Sequence, residues 1–331
     1  MNILTRAQLV DWLDGLAQEQ TLVAPRVVAG VLLYRPVENS TEIAWGPNRP
    51  LLSIKDVFFP PTERLLSIEK IGQQVKLTET LPDGKPVVFG VRPCDARGVQ
   101  MLDALFIDTP PVDPYYVQRR ENTALIGLSC QEMGPSCFCT SVGGAPDDTA
   151  DLYILLTEVD GGFVLQVLTE KGHALLQGMS LARFYGELPK PRVNQPLALV
   201  DQETWLAHFN DEYWDRMSER CLSCRICAYV CPTCRCFAVR DEALSTSGQY
   251  ERIRCWDSCA GENYRRIAGG HRPRAEKGER LRNRFLCKFY YYPEQYAQEQ
   301  AVACTGCGRC VDACPVNVDI TEVMMEIGSG T

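Results

Sequence analysis

The pattern C-x2-C-x2-C-x3-C-P occurs twice, as CLSCRICAYVCP at 221–232 and as CTGCGRCVDACP at 304–315. Three cysteines at two-residue gaps let a tight loop fold around three corners of a four-iron cube. The fourth, just before proline, points away from that loop and ligates the cube of the other copy, so the motif comes in pairs. The spacing assigns one [4Fe–4S] cluster to Cys221, Cys224, Cys227 and Cys314, and a second to Cys304, Cys307, Cys310 and Cys231. Zinc knuckles also use C-x2-C, but a third cysteine at the same gap together with C-P favours a cluster.

Seventeen cysteines in 331 residues would suit a disulfide scaffold in a short exported chain. The start MNILTRAQLVDWLDG does not read as an export signal, because Asp11 and Asp14 interrupt any apolar region. The longest apolar run near it, 27–34, is far short of the roughly 20 residues of a membrane helix. The expectation is a cytoplasmic chain without membrane partners, whose reduced thiols serve as metal ligands. A net charge of −8 argues against nucleic-acid binding. The length predicts two domains.

Along the chain, 5–18 reads as a helix capped by Thr5, with Leu9, Trp12, Leu13 and Leu16 on one stripe. Residues 26–34 read as a strand. Two further strands, in 85–95 and 121–130, each end at a cysteine. Residues 151–170 read as a hairpin around Asp160, Gly161 and Gly162. Three prolines in 189–196 mark a linker. Beyond it, 201–221, 292–304 and 319–328 read as helical. The fold class is therefore α+β: a mixed α/β domain over 1–190, then a mostly α-helical ferredoxin-type dicluster domain over 200–331. The 72 residues at 232–303 are expected to be helical rather than to form the β-hairpin of compact ferredoxins. Residues 251–290 carry eleven Arg or Lys against five Asp or Glu. This run reads first as a solvated helical face beside negatively charged clusters, and second as a docking surface.

Cys94 and Cys130 end their strands, and Cys137 and Cys139 follow in SCFC. If the strands are parallel, the four cysteines share one loop face. They could hold a third [4Fe–4S] cluster or zinc, or be ordinary buried thiols. Cys234, Cys236, Cys255, Cys259 and Cys287 could form a further metal site or a redox dithiol, though the plainer reading is packing. His173, His208 and His271 do not pair at metal spacing. No glycine-rich nucleotide fingerprint follows a strand.

VRPCDARGVQMLD, SCQEMGPSCFC, CLSCRICAYVCPTCRCF, RCWDSCAG and CTGCGRCVDACP stand in an order that resembles one family. This is the iron–sulfur beta subunit of cytoplasmic sulfhydrogenases, the NAD(P)-linked [NiFe] hydrogenases. The chain is also similar to the 4Fe-4S dicluster subunit of anaerobic sulfite reductase. The long gap between motifs resembles the α-helical ferredoxin modules of respiratory and heterodisulfide-reductase-type subunits. The resemblance implies a third cluster at Cys94, Cys130, Cys137 and Cys139. It also implies an FAD/NAD(P)-binding reductase partner and a catalytic subunit such as a [NiFe] hydrogenase, in a hetero-oligomer. The sequence at Cys287 departs from it, since many relatives carry histidine there. Two rival readings are an autonomous sulfur or disulfide reductase using the extra cysteines, and a structural zinc module.

Overall fold

The computed structural model describes residues 1–296 and 302–329. Twelve strands lie among them: β1 Asn2–Leu4, β2 Leu22–Val28, β3 Val31–Val37, β4 Thr62–Ile71, β5 Gln74–Glu79, β6 Val87–Val91, β7 Ala124–Leu128, β8 Ile154–Val159, β9 Gly162–Val167, β10 Ala182–Arg183, β11 Phe237–Ala243 and β12 Gln249–Trp256. They form an eight-stranded sheet in the order β10-β1-β9-β8-β7-β6-β2-β3 and a four-stranded sheet in the order β11-β12-β4-β5.

The middle of the large sheet is parallel: β2 with β6, β6 with β7, and β7 with β8. Every residue of β6 is buried, as expected of a parallel strand covered on both faces. The helix Arg6–Glu19 covers one face with Leu9, Trp12, Leu13 and Leu16. Thr5 caps it in a reciprocal bond with Gln8. The helix Pro93–Phe106 covers the other face through Ala96, Val99, Leu102 and Phe106. The register sets Val91 beside Gly127, so β6 and β7 deliver Cys94 and Cys130 to the same sheet edge.

Three expectations need correction. The run 26–34 is not one strand: Ala29 (φ 49°) and Gly30 (φ 80°) turn it into the β2–β3 hairpin. Left-handed conformation at two successive turn residues is what a tight hairpin needs. Residues 201–221 break into two helices, Gln202–Ala207 and Tyr213–Arg220. The chain after 200 is not mostly helical, because β11 and β12 lie between the two motifs. Pairing supplied from far away stabilises them. β12 runs antiparallel to β4 from Gln249↔Glu69 to Cys255↔Thr62. The small sheet thus joins strands from both sides of residues 189–196.

The helix at Ile320–Gly328 stands as the periodicity predicts. Of the helical expectation over 292–304, Tyr292–Tyr296 is helical, and 297–301 lie outside the described residues. No helix among the described residues is long and apolar enough to cross a membrane.

Candidate metal centres

The two motif loops share an unusual backbone. The second and fourth residues after the first cysteine take left-handed conformations in both: Ser223 and Arg225 in one, Gly306 and Gly308 in the other. Each turn re-aims the chain so that the next cysteine returns toward the loop centre. Backbone N–H groups donate to sulfur in both: Ser223 to Cys221 Sγ at 3.4 Å, Gly306 to Cys304 Sγ at 3.5 Å, and Val318 to Cys314 Sγ at 3.1 Å.

Cys231, Cys304, Cys307 and Cys310 line one small interior pocket. This is the set that the exchanged spacing assigns to the second cluster. Cys227 has both Cys221 and Cys224 as electrostatic neighbours. Cys221 and Cys314 pack against the same apolar core, built on Trp205, Trp214, Phe285 and Ile320. Cys224 is exposed, whereas Cys304 and Cys307 are buried.

Cys94, Cys130, Cys137 and Cys139 line a cavity of about 410 Å³ at the edge where β6 and β7 end. Cys307 and Arg309 of the second motif line it too. The contact is close. The Phe138 N–H donates to the Gly306 carbonyl at 2.8 Å, and the Cys137 thiol approaches the Cys307 carbonyl at 3.6 Å. Arg309 grips both carboxylate oxygens of Asp95 at 2.6 and 2.8 Å, with both side chains buried. The residue after Cys94 is therefore locked to the residue before Cys310.

Buried cations accompany the thiols. Lys288, 3% exposed, points its Nζ at Cys231 Sγ (3.1 Å), Cys234 Sγ (3.7 Å), Thr233 Oγ1 (2.9 Å) and the Ala303 carbonyl (3.2 Å). No carboxylate is among these partners. Burial alone would lower its pKa, but Cys231 and Cys234 hold it well above the usual lysine value. Arg284, 2% exposed, lies among Cys227, Cys310, Cys234 and Cys231. Its Nε has no hydrogen-bond partner among the described residues. Arg49 Nη1 donates to Cys137 Sγ at 2.8 Å, and the Arg92 guanidinium lies beside Cys130. Lys55 reaches from the first half to the Cys234 carbonyl at 3.1 Å and lies 3.8 Å over the Trp256 ring.

An unpaired buried cation is expensive, and a neutral thiol offsets little of that cost. Burial pushes the bare thiols upward, Cys139 and Cys304 to about 11 and Cys310 to about 12. Except at Cys231, which Cys234 and Lys288 hold well below the ordinary thiol value, the bare protein therefore disfavours the thiolates that its cations call for. A bound thiolate–iron group resolves that conflict, because metal binding takes the proton's place on sulfur. No three His, Cys, Asp or Glu side chains among the described residues converge on a point for one metal ion. A mononuclear zinc site requires such convergence, whereas a cube gives each thiolate its own iron. The residues present fit [4Fe–4S] clusters.

The cations were not legible as site residues. Arg284 and Lys288 belong to the basic run at 251–290, which read first as a solvated face. Four of its eleven cations are buried: Arg254, Arg280, Arg284 and Lys288. Arg254 serves the fold, pairing with Glu63 and Asp113. Among the extra cysteines that could form a redox dithiol, Cys236 neighbours Cys259, and Cys255 faces Thr62.

A family model for the 4Fe-4S dicluster domain matches residues 220–318. Sulfhydrogenase 2 subunit beta of Pyrococcus furiosus is 33% identical over 314 residues, covering 90% of this chain and 89% of that protein. No solved structure matches.

Proposed function

The chain belongs to the family of sulfhydrogenase beta subunits, and from that premise we propose that it relays single electrons between a flavin- and NAD(P)-binding partner and a catalytic subunit of the hydrogenase type. A nicotinamide gives up two electrons as a hydride, and a flavin divides the pair. When bound, each cluster supplies a one-electron centre whose potential is set by burial and by hydrogen bonds to sulfur. Cys221, Cys224, Cys227 and Cys314 would hold the first. Cys304, Cys307, Cys310 and Cys231 would hold the second, and Cys94, Cys130, Cys137 and Cys139 a third.

The observation that carries the relay is the seam between the third set and the second motif. Cys307 lies on one side in the interior pocket and on the other in the first-half cavity. The Asp95–Arg309 pair and the Phe138–Gly306 bond fix the distance across that seam. Lys288, Arg284, Arg49 and Arg92 offset the negative charge of the ligated thiolates. The exposure of Cys224 supports a partner's docking site beside the first set. The division into 1–190 and 200–331 belongs to this proposal: one segment supplies one site, the other supplies two, and β4–β12 pairing holds them together. A reducing, cytoplasmic setting suits seventeen free thiols.

The test is a stepwise anaerobic reduction of the isolated chain, followed by EPR. A relay subunit takes up about one electron per cluster, three from these sets, and turns over neither sulfur compounds nor disulfides. Catalytic turnover of a disulfide or polysulfide by the isolated chain would contradict the relay and favour an autonomous reductase.

A further inference from the structure

Cys234, Cys236, Cys255, Cys259 and Cys287 belong to none of the three sets, yet four of them meet. Cys234 and Cys236 leave the first motif and enter β11. The β11–β12 hairpin brings the chain back, and the Asp257 N–H donates to the Cys236 carbonyl at 2.9 Å. Cys259 lies on this return, as a close electrostatic neighbour of Cys236. Cys287 and Cys234 complete the group as neighbours of Cys259. Cys255 stands apart on β12, with Thr62 Oγ1 at 3.6 Å from its sulfur.

Two further features mark a built site. The helix Lys277–Leu286 widens into a π-helical turn at Cys287–Tyr291. Such turns cost regular hydrogen bonding and recur at functional positions. Here the turn sets Cys287 toward the hairpin return and Lys288 toward Cys231 on adjacent residues. Arg235 lies beside Cys287, Cys236 and Cys234, held against the rings of Tyr292 and Tyr296 at 5.1 and 5.2 Å. No carboxylate is among these neighbours. The arrangement repeats that of the other sets: four sulfurs around a partly or fully buried cation.

We propose that Cys234, Cys236, Cys259 and Cys287 bind a fourth [4Fe–4S] cluster. A site of four thiolates takes zinc or an iron–sulfur cluster. The partial match to the charge and sulfur arrangement of the other sets favours the cube. Lys288 touches Cys231 of the second set and Cys234 of this one, so the two sites share a counter-charge. The fourth site therefore branches from the second set by way of Cys231, while the first-half cavity adjoins it by way of Cys307. The proposal rests on the reading of the chain as an iron–sulfur protein.

The test is iron, zinc and acid-labile sulfide per chain in anaerobically purified full-length protein and its variants. Wild type is expected to carry about 16 iron, and Cys236→Ser and Cys287→Ser each about four fewer, with Cys255→Ser unchanged. Iron unchanged in both ligand variants, or loss of about one zinc instead of iron, overturns the proposal. If both variants lose all iron through unfolding, the wild-type count decides together with Cys137→Ser: about 16 supports a fourth cluster, and about 12 with iron lost in Cys137→Ser overturns it. Cys137→Ser, measured alongside, separates the two readings. Iron lost there but not in Cys236→Ser faults the fourth site alone, and the reverse faults the first-half site alone.

Discussion

The two motif copies have the same loop conformation and opposite surroundings. In the first, the left-handed positions are Ser223 and Arg225; in the second they are Gly306 and Gly308. An L-residue in that conformation costs on the order of 1–2 kcal/mol, and the first copy tolerates it twice. Conformation alone therefore does not demand glycine. Contact does. A Cβ at Gly306 would stand 2.5 Å from the Cys139 nitrogen, and one at Gly308 would stand 2.4 Å from Ser136 Oγ. The second copy is pressed against the first half of the chain, while Cys224 and Arg225 of the first copy are exposed. The same cluster-binding loop serves as an internal junction in one place and as a surface terminus in the other.

The contrast is broken most severely by Gly306→Val. The side chain has no room, so the seam should open, with loss of about eight iron from the second and first-half sets. Ser223→Ala, at the matched position, should keep its iron; metal analysis of the two variants compares them directly. Next is Arg309→Met, which leaves Asp95 buried without its partner and should cost about 3–5 kcal/mol. A lowered thermal unfolding midpoint is the readout. The matched residue in the first copy is Ile226, so Ile226→Met should move the midpoint little.

Lys288→Met should leave the iron count unchanged but lower the potential of the cluster on Cys231. Removing a nearby positive charge disfavours the more negative reduced state. An EPR-monitored redox titration reads the shift. The smallest effect is expected from Ser223→Gly, which relieves the left-handed strain but adds chain entropy. Stability should change by less than about 1 kcal/mol, measured by denaturant melts with iron retained.

What was legible in the sequence followed from local rules. The Arg6–Glu19 helix has its cap and stripe within a few residues, and the strands ending at Cys94 and Cys130 are continuous apolar runs. The β2–β3 turn was hidden inside such a run, because Ala29 carries no turn signal. The β11–β12 hairpin was illegible for another reason. Most of β11 is exposed, and β12 is held by β4, which lies far off in sequence. Strand preference of that kind reflects partners more than composition. The charge run failed likewise: nothing local distinguishes inward Arg284 and Lys288 from exposed Arg252 or Arg266. Cysteine spacing marked the 4Fe-4S dicluster domain readily, because the ligand order is itself the signal. It said nothing of the cations beside the thiols, nor that Cys236 would meet Cys259 across a hairpin.

The most direct measurement is iron and acid-labile sulfide in Cys137→Ser against wild type, both purified without oxygen. If the first half carries a cluster against the second motif, the variant holds about four fewer iron and four fewer sulfide per chain, with the ferredoxin-type EPR signals retained. Equal iron and sulfide in the two proteins would contradict it, leaving the cysteines at the edge of β6 and β7 as packing residues.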